Sequence, residues 1–194
     1  MRVIAGILRG RTLKAPKGLA TRPVPARVRE ALFAMLGDMS GARVLDLFAG
    51  TGAIGIEALS RGAASAAFID SGAEQCAVIR ANLTALVIEG EVTRVDVFRA
   101  IERFAGEGRT FDFVFADPPY ERGFSARTLE SVCGRGLLSP RGIMALTVRK
   151  TEELPPLAGD RSIILNRRYG DTRLVIYGKE NDQRSSVSDT LEKQ

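Results

Sequence analysis

A chain of 194 residues, 45% hydrophobic and 26% charged, fits one globular α/β domain with a short appendage and excludes two large domains. With no histidine and two cysteines, the sequence argues against a zinc or iron site and excludes catalysis by an imidazole base. The net charge of +5 is uneven, because the first thirty residues hold eight basic residues against Glu30 alone. That asymmetry predicts an arm that binds phosphates, although a merely solvated basic terminus has the same composition.

No apolar run approaches the length of a membrane span, and the first residues lack the pattern of a signal peptide. We therefore expect a cytoplasmic protein that acts as a monomer, without a membrane partner and without a metal. Cys76 and Cys133 lie in separate predicted helices without metal-ligand spacing, and we expect both to be reduced thiols.

The N-terminal segment is predicted to form a small hairpin around Arg9 and Gly10, followed by an amphipathic helix from Ala26 to Leu36. We expect residues 1–24 to be a basic arm, 25–178 the main domain and 179–194 a disordered polar tail. The basic residues predicted to contact phosphate are Arg9, Arg11, Lys14, Arg22 and Arg27.

Strands and helices then alternate, which is typical of a doubly wound, mostly parallel sheet. The predicted strands are Arg43 to Phe48, Ser65 to Asp70, Glu91 to Asp96, Phe111 to Asp117 and Ile143 to Val148. The predicted helices between them are Ala53 to Arg61, Ala73 to Leu86, Val97 to Ala105 and Ser125 to Cys133. Two further segments, Arg161 to Asn166 and Thr172 to Tyr177, are predicted to form an antiparallel pair at one edge.

The loop after the first strand is glycine-rich, with Asp46 before it and Gly50 and Gly52 within it. With Gly55 it also satisfies the dinucleotide-binding pattern, so a nicotinamide site stays open by spacing alone. Asp46 favours S-adenosylmethionine, because a carboxylate there can bind an ammonium group but lies badly beside a pyrophosphate.

Two more acids, Asp70 and Asp96, end the next two strands. Asp70 is predicted to accept hydrogen bonds from ribose hydroxyls, and Asp96 to accept one from the adenine amino group. Either residue could instead cap a helix. The predicted cofactor-binding residues are Asp46, Phe48, Ala49, Gly50, Gly52, Asp70, Asp96 and Val97.

The tetrapeptide Asp117, Pro118, Pro119 and Tyr120 ends the fourth strand and is the most specific motif in the chain. An exocyclic base amine is a poor nucleophile, because its lone pair is delocalised into the ring. Hydrogen bonds from the amine to the Asp117 carboxylate and a backbone carbonyl would aim the lone pair at a methyl donor. The prolines would stiffen the turn, and the Tyr120 ring could stack on an extruded base.

Taken together, these motifs resemble the bacterial RsmD family, which methylates the N2 amine of a guanine in 16S ribosomal RNA. The resemblance covers residues 1–178 and implies a Rossmann-like class I methyltransferase with a seven-stranded sheet. The motifs that carry it are residues 4–11, 22–33, 46–52, 57–62, 117–120 and 169–172. The implied substrate is 16S ribosomal RNA within the assembled or assembling small ribosomal subunit.

The chain departs from the family pattern at Val24–Ala26, where polar residues are usual, and at Val148–Lys150, where relatives often carry an acid. Asp70 stands where relatives commonly have glutamate. Two other functions stay open from the residues: amino-methylation of adenine or cytosine in DNA or another RNA, and a non-catalytic RNA-binding assembly factor.

Overall fold

The computed structural model describes residues 1–16, 24–119 and 123–179. Apolar residues recur at helical spacing in five segments and form continuous runs in the central strands, as expected of a sheet covered on both faces. The helices are α1 (Ala26–Leu36), α2 (Ala53–Ser60), α3 (Ala73–Leu86), α4 (Val97–Gly106) and α5 (Phe124–Gly134). The strands are β1 (Arg43–Leu47), β2 (Ser65–Asp70), β3 (Glu91–Arg94), β4 (Phe111–Ala116), β5 (Leu138–Arg149), β6 (Leu157–Ala158), β7 (Arg161–Tyr169) and β8 (Thr172–Gly178).

All eight strands form one sheet in the order β3-β2-β1-β4-β5-β8-β7-β6. The first five are parallel, and β8, β7 and β6 continue the sheet in antiparallel pairs. The predicted doubly wound sheet with an antiparallel edge is therefore confirmed. The strand β6 was not predicted, because two residues are too few to show the alternating pattern of a strand. It is defined only by its pairing with β7.

Two hydrophobic clusters sandwich the sheet. One contains α1, α2 and α3 residues such as Phe33, Ile56 and Ile79, and the other contains α4 and α5 residues such as Phe104 and Leu129. The chain reverses its strand order at β1, between β2 and β4. In such sheets ligands bind outside the carboxyl ends of the strands at this switch point.

Two of the boundaries that differ from the predicted ones have a clear structural reason. β3 stops at Arg94, because Asp96 caps α4 instead of extending the strand. β5 begins at Leu138, five residues before the predicted start, because the register of its pairing with β4 shifts between Phe111 and Phe113. Sequence periodicity does not show a shift of that kind.

The first thirteen residues fold back as a tight antiparallel loop, with a bridge between Arg2 and Thr12 where the sequence predicted a small hairpin. Val3, Leu8 and Leu13 are buried in the same cluster as α1 and α2. The division of the chain at residue 24 stays a prediction, and the tail beyond Lys179 and the segment 17–23, with Arg22, lie outside the described residues.

Within the described residues, no helix combines the length and apolar character needed to cross a bilayer. The same residues contain no cluster of three acidic or cysteine side chains arranged to hold a metal ion. Cys76 and Cys133 are free thiols.

Candidate active site

A cavity of about 420 Å³ lies at the carboxyl edge of β1, β2 and β4. Its walls come from the loop after β1, the end of β2 and the turn after β4. The lining residues include Asp46, Phe48, Ala49, Gly50, Asp70, Asp117, Pro118 and Pro119, all predicted site residues. Residues that were 71 positions apart in the sequence, Asp46 and Asp117, therefore meet in one pocket because β1 and β4 are neighbours in the sheet.

The loop after β1 is held open by backbone conformations that only a few residues adopt. Gly50 and Gly52 have φ angles of 55° and 74°, and Phe48 also has a positive φ of 56°. A side chain at Gly52 would also press on Ile79 at 3.2 Å. Phe48 is strained in this region, and strain of this kind is stored where a loop must present its backbone to a ligand.

Asp46 lies inside the sheet, with only 2% of its surface exposed. Its carboxylate accepts one hydrogen bond, from the backbone N–H of Gly55 at 3.0 Å. Burial raises the pKa of Asp46 well above its usual value, and the carboxylates of Asp70 and Asp117 raise it further. A buried carboxylate with one neutral hydrogen-bond donor and two acidic neighbours would be stabilised by a positively charged ligand.

Asp70 organises the loop from the neighbouring strand. One of its oxygens accepts the N–H of Gly50 at 2.9 Å and the other accepts the N–H of Gly72 at 2.8 Å. Asp70 lines the cavity, and each of its oxygens can accept a further hydrogen bond, which suits hydroxyl donors such as those of a ribose. Asp70 therefore couples the shape of the glycine loop to the end of β2.

Asp96 performs a structural task and lies outside the cavity lining. Its Oδ1 accepts the N–H groups of Phe98 and Arg99 at 3.0 and 3.2 Å, capping α4. Its side chain is exposed at the same edge of the sheet. Val97, next to it, is buried, as is Gly52. The predicted contact of Asp96 with adenine stays a prediction that its second oxygen could serve.

The turn after β4 holds a second acid of the cavity, the half-buried Asp117. Burial raises the pKa of Asp117 to about 6, while a hydrogen bond from the Thr147 hydroxyl to its Oδ1 acts in the opposite direction. Pro118 is buried and Pro119 is exposed. Tyr120, the fourth predicted catalytic residue, lies outside the described residues.

Several residues of the site were missed by sequence reasoning. Thr147 comes from β5, thirty positions after Asp117. Met1, Val24, Gln75 and Phe115 also line the cavity. No motif marks these residues, because each reaches the site through the pairing of distant elements.

The basic arm is attached to the body by buried polar groups. Both oxygens of Glu57 accept backbone N–H groups, from Ile4 at 2.7 Å and from Ala5 at 2.9 Å. The Asn82 side-chain oxygen accepts the N–H of Lys14 at 2.8 Å, and its amide nitrogen donates to the carbonyl of Lys14 at 3.1 Å. The same nitrogen also donates to the carbonyl of Thr51 at 3.2 Å. The arm is therefore in contact with the glycine loop through one amide side chain.

The predicted phosphate-binding residues that the structure describes all expose their side chains: Arg9, Arg11, Lys14 and Arg27. Arg11 also donates a hydrogen bond to the carbonyl of Ala85 at 3.1 Å. These side chains are not gathered in one pocket. They lie on the surface of the arm and on the first turn of α1.

Comparison with known proteins gives this site a family. Residues 1–178 match the family model "Conserved hypothetical protein 95". The ribosomal RNA small subunit methyltransferase D of Escherichia coli is 33% identical over 181 residues, which cover 93% of this chain and 90% of that protein.

Solved structures give the same result for the fold. The yhhF structure from Escherichia coli superposes with a TM-score of 0.82 at 32% identity, covering 93% of this chain and 98% of that one. A 16S rRNA N2 G1207 methyltransferase from Thermus thermophilus, solved with AdoMet and guanosine, has a TM-score of 0.67 over 82% of this chain and 44% of that one; at 22% identity it is evidence for the fold alone. The predicted methyltransferase fold is confirmed. A cavity lined by three acids, Asp46, Asp70 and Asp117, agrees with the predicted cofactor, S-adenosylmethionine, which carries positive charge. The chain thus belongs to the family of the ribosomal RNA small subunit methyltransferase D, as the sequence motifs predicted.

Proposed function

We propose that this enzyme transfers the methyl group of S-adenosylmethionine to the exocyclic N2 amine of a guanine in 16S ribosomal RNA, acting in the cytoplasm as a monomer. The observation that carries the proposal is that two carboxylates, the buried Asp46 and the half-buried Asp117, line one cavity at the switch point of the sheet. Family membership supports the same reaction, because the Escherichia coli relative is named for the RNA of the small subunit.

The cofactor fits the pocket by charge. S-adenosylmethionine carries an ammonium and a sulfonium, and when bound it supplies an electrophilic methyl group. Asp46 would hold the ammonium, whose positive charge would compensate this buried carboxylate. Asp70 would accept the ribose hydroxyls with the lone pairs that Gly50 and Gly72 leave free.

The target amine would be oriented by the turn after β4. The Thr147 hydroxyl occupies Oδ1 of Asp117, so Oδ2 can accept one N–H of the amine. The carbonyl of Pro118 accepts the other, and both bonds favour a pyramidal nitrogen whose lone pair faces the methyl carbon. The transferred methyl group would replace one hydrogen of the amine, and Asp117 or water would accept the proton that the nitrogen loses, so that the demethylated cofactor is the second product. A pKa near 6 makes Asp117 able to take that proton.

The substrate assignment is tested by methylating small ribosomal subunits taken from bacteria that lack their own enzyme of this family. Tritiated S-adenosylmethionine supplies the label, and mass spectrometry of the digested RNA identifies the nucleoside. We expect N2-methylguanosine at one position with wild-type protein and none with Asp117→Asn. Methyladenosine or methylcytidine, or transfer to duplex DNA in preference to RNA, would contradict the guanine assignment.

The non-catalytic alternative is tested by titration calorimetry with S-adenosylmethionine. The charge deficit around Asp46 leads us to expect saturable binding of one cofactor molecule. RNA binding without cofactor binding would favour an assembly factor that has kept only the fold.

A further inference from the structure

A second cavity, of about 680 Å³, lies beside the cofactor pocket. It is formed between the N-terminal loop and the first turn of α1. Met1 and Val24 line both cavities and form the wall between them. A nucleotide whose base entered the first cavity could therefore place another of its groups in the second.

The second cavity is rich in positive charge. Arg2 and Arg9 line it with exposed side chains, and Arg29 lines it from α1. Among the described residues that line it, Glu30 is the only acidic one. Three guanidinium groups against one carboxylate leave an excess of two positive charges, which favours an anionic ligand.

Arg29 is the strongest indication, because it is buried without an adequate partner. Only 3% of its surface is exposed. Its two terminal nitrogens donate to the Arg2 carbonyl over 3.3 and 3.4 Å, and its Nε has no hydrogen-bond partner among the described residues. A buried guanidinium normally has a carboxylate or phosphate partner, since desolvation of its charge is costly.

Two carboxylates, Glu57 and Glu30, attract Arg29, but among the described residues neither forms a hydrogen bond with it. Glu57 attracts Arg29 electrostatically, but its oxygens already accept the N–H groups of Ile4 and Ala5 and the Nε of Arg61. Burial consequently lowers the pKa of Arg29 despite that attraction. An anion in the cavity would compensate the charge.

The beginning of α1 is an independent indication. Pro25 stands at the N-cap and offers no side-chain hydrogen bond, and the first turn of this eleven-residue helix contains no acidic residue. Pro25 and Ala26 line the cavity, so the positive end of the helix dipole lies beside it without an acidic residue in the first turn. Helix N-termini of this kind bind phosphate oxygens.

We propose that this second cavity binds a backbone phosphate of the RNA substrate, held by Arg2, Arg9 and the first turn of α1, with Arg29 as the buried counter-charge. The inference rests on the proposed function, since it names the place where the same RNA is gripped. It adds Arg2 and Arg29 to the RNA-contacting residues and assigns Arg9 a specific pocket. The common wall at Met1 then couples phosphate binding to the position of the base at Asp117.

The test compares RNA binding by wild-type protein, the double variant Arg2→Ala/Arg9→Ala, Arg29→Met and the control Arg141→Ala. Arg141 is exposed near the amino ends of β4 and β5, so its replacement removes one positive charge far from the cavity. Binding of 16S ribosomal RNA is measured by fluorescence anisotropy at several salt concentrations. Binding of S-adenosylmethionine and thermal unfolding are measured for the same proteins.

We expect the double variant to bind RNA roughly tenfold more weakly, with a salt slope smaller by about 1 for the lost phosphate contact. Arg29→Met should reproduce the loss if it folds, and the exposed pair decides the question if it does not. The affinity of each variant for S-adenosylmethionine should match that of the wild-type protein. The Arg141→Ala control should also bind RNA with wild-type affinity.

Three outcomes overturn the inference: an unchanged salt slope in the double variant, an equal loss in Arg141→Ala, or a loss of cofactor affinity in place of RNA affinity. The last result would assign the cavity to the carboxylate of the cofactor. Failure of the proposed function is seen separately, because it would leave the RNA-binding differences in place while no variant, wild type included, methylated the RNA.

Discussion

The charges of two acids, the buried Glu57 that attaches the N-terminal arm and the half-buried Asp117 of the catalytic turn, are matched differently by their surroundings. Glu57 is fully buried and is matched by two backbone N–H groups and the Arg61 guanidinium at 2.8 Å. Asp117 receives one hydroxyl hydrogen bond, and burial raises its pKa to about 6. Glu57 is a structural residue whose partners are built into the fold, whereas Asp117 keeps capacity for a ligand.

The largest expected effect is on catalysis. Asp117→Asn keeps the volume of the side chain but removes the negative acceptor, so we expect kcat to fall by about 10³-fold. S-adenosylmethionine binding should change little, because Asp117 acts on the amine. Single-turnover methyl transfer and calorimetry measure the two quantities. Asp112→Asn, an exposed acid paired with Arg43 at the other end of β4, is the control. Equal losses of binding and transfer would reject the assigned role.

A structural acid should affect folding instead. Glu57→Ala leaves the N–H groups of Ile4 and Ala5 and the Arg61 guanidinium without their partner, so we expect the free energy of unfolding to fall by ~3 kcal/mol. Urea unfolding followed by circular dichroism measures it. The exposed Glu102, paired with Arg135 at 3.4 Å, is the control, and its loss should change the free energy by less than about 1 kcal/mol. A similar change in both variants would contradict the distinction.

The pH dependence of the reaction reports on Asp117 directly. Only its ionised form accepts the amine N–H, so kcat/KM should rise with pH and level off above a pKa of about 6. The effect on folding has the opposite sign: a raised pKa means that this carboxyl contributes stability at low pH, which is lost as pH rises through about 6. An activity that is flat between pH 5 and pH 8 would show that Asp117 does not titrate in this range.

Loss of the Thr147 hydroxyl should shift the pKa of Asp117 and have a smaller effect on activity. Thr147→Val removes the hydroxyl that lowers the pKa of Asp117, so the acid limb of the pH profile should move to higher pH. Thr147→Ser retains the hydroxyl and should keep the wild-type profile. A loss of activity without movement of the limb would mean that Thr147 acts only through packing.

The smallest expected effect is a proton count. Burial and its acidic neighbours raise the pKa of Asp46 in the free enzyme, and the ammonium of the cofactor would lower it again. Proton release on cofactor binding should therefore increase as the pH is lowered, which calorimetry in two buffers of different ionisation enthalpy detects. Asp46→Asn should release fewer. Equal proton release by both proteins would remove Asp46 from the ammonium site.

The predicted residues that the structure places in the cavity lining belong to local motifs. The strand, glycine turn and helix around Asp46 and Gly50 are encoded in adjacent residues, and the parallel sheet brings Asp70 and Asp117 to the same edge. The parts that the sequence missed depend on long-range contacts. Asn82 meets Lys14 over 68 positions, and Met1 meets the pocket through the folding of the arm. No period or motif specifies such contacts, because packing selects them.

The helix boundaries show the same limit at short range. Asp96 was predicted to end a strand and contact the cofactor, but two backbone N–H groups of α4 lie within reach of its carboxylate and are satisfied by it. An acid between a strand and a helix serves as a helix cap in either case. Only the cavity lining, which contains Asp70 and omits Asp96, distinguishes the two acids.

The central claim is that the donor methyl and the turn at Asp117 face each other in one pocket. A crystal structure with bound S-adenosylmethionine measures this directly. We predict a methyl carbon within about 6 Å of the Asp117 carboxylate, which leaves room for one amine nitrogen between them. A cofactor bound at Asp46 whose methyl points away from Asp117, or one bound outside this cavity, would contradict the account.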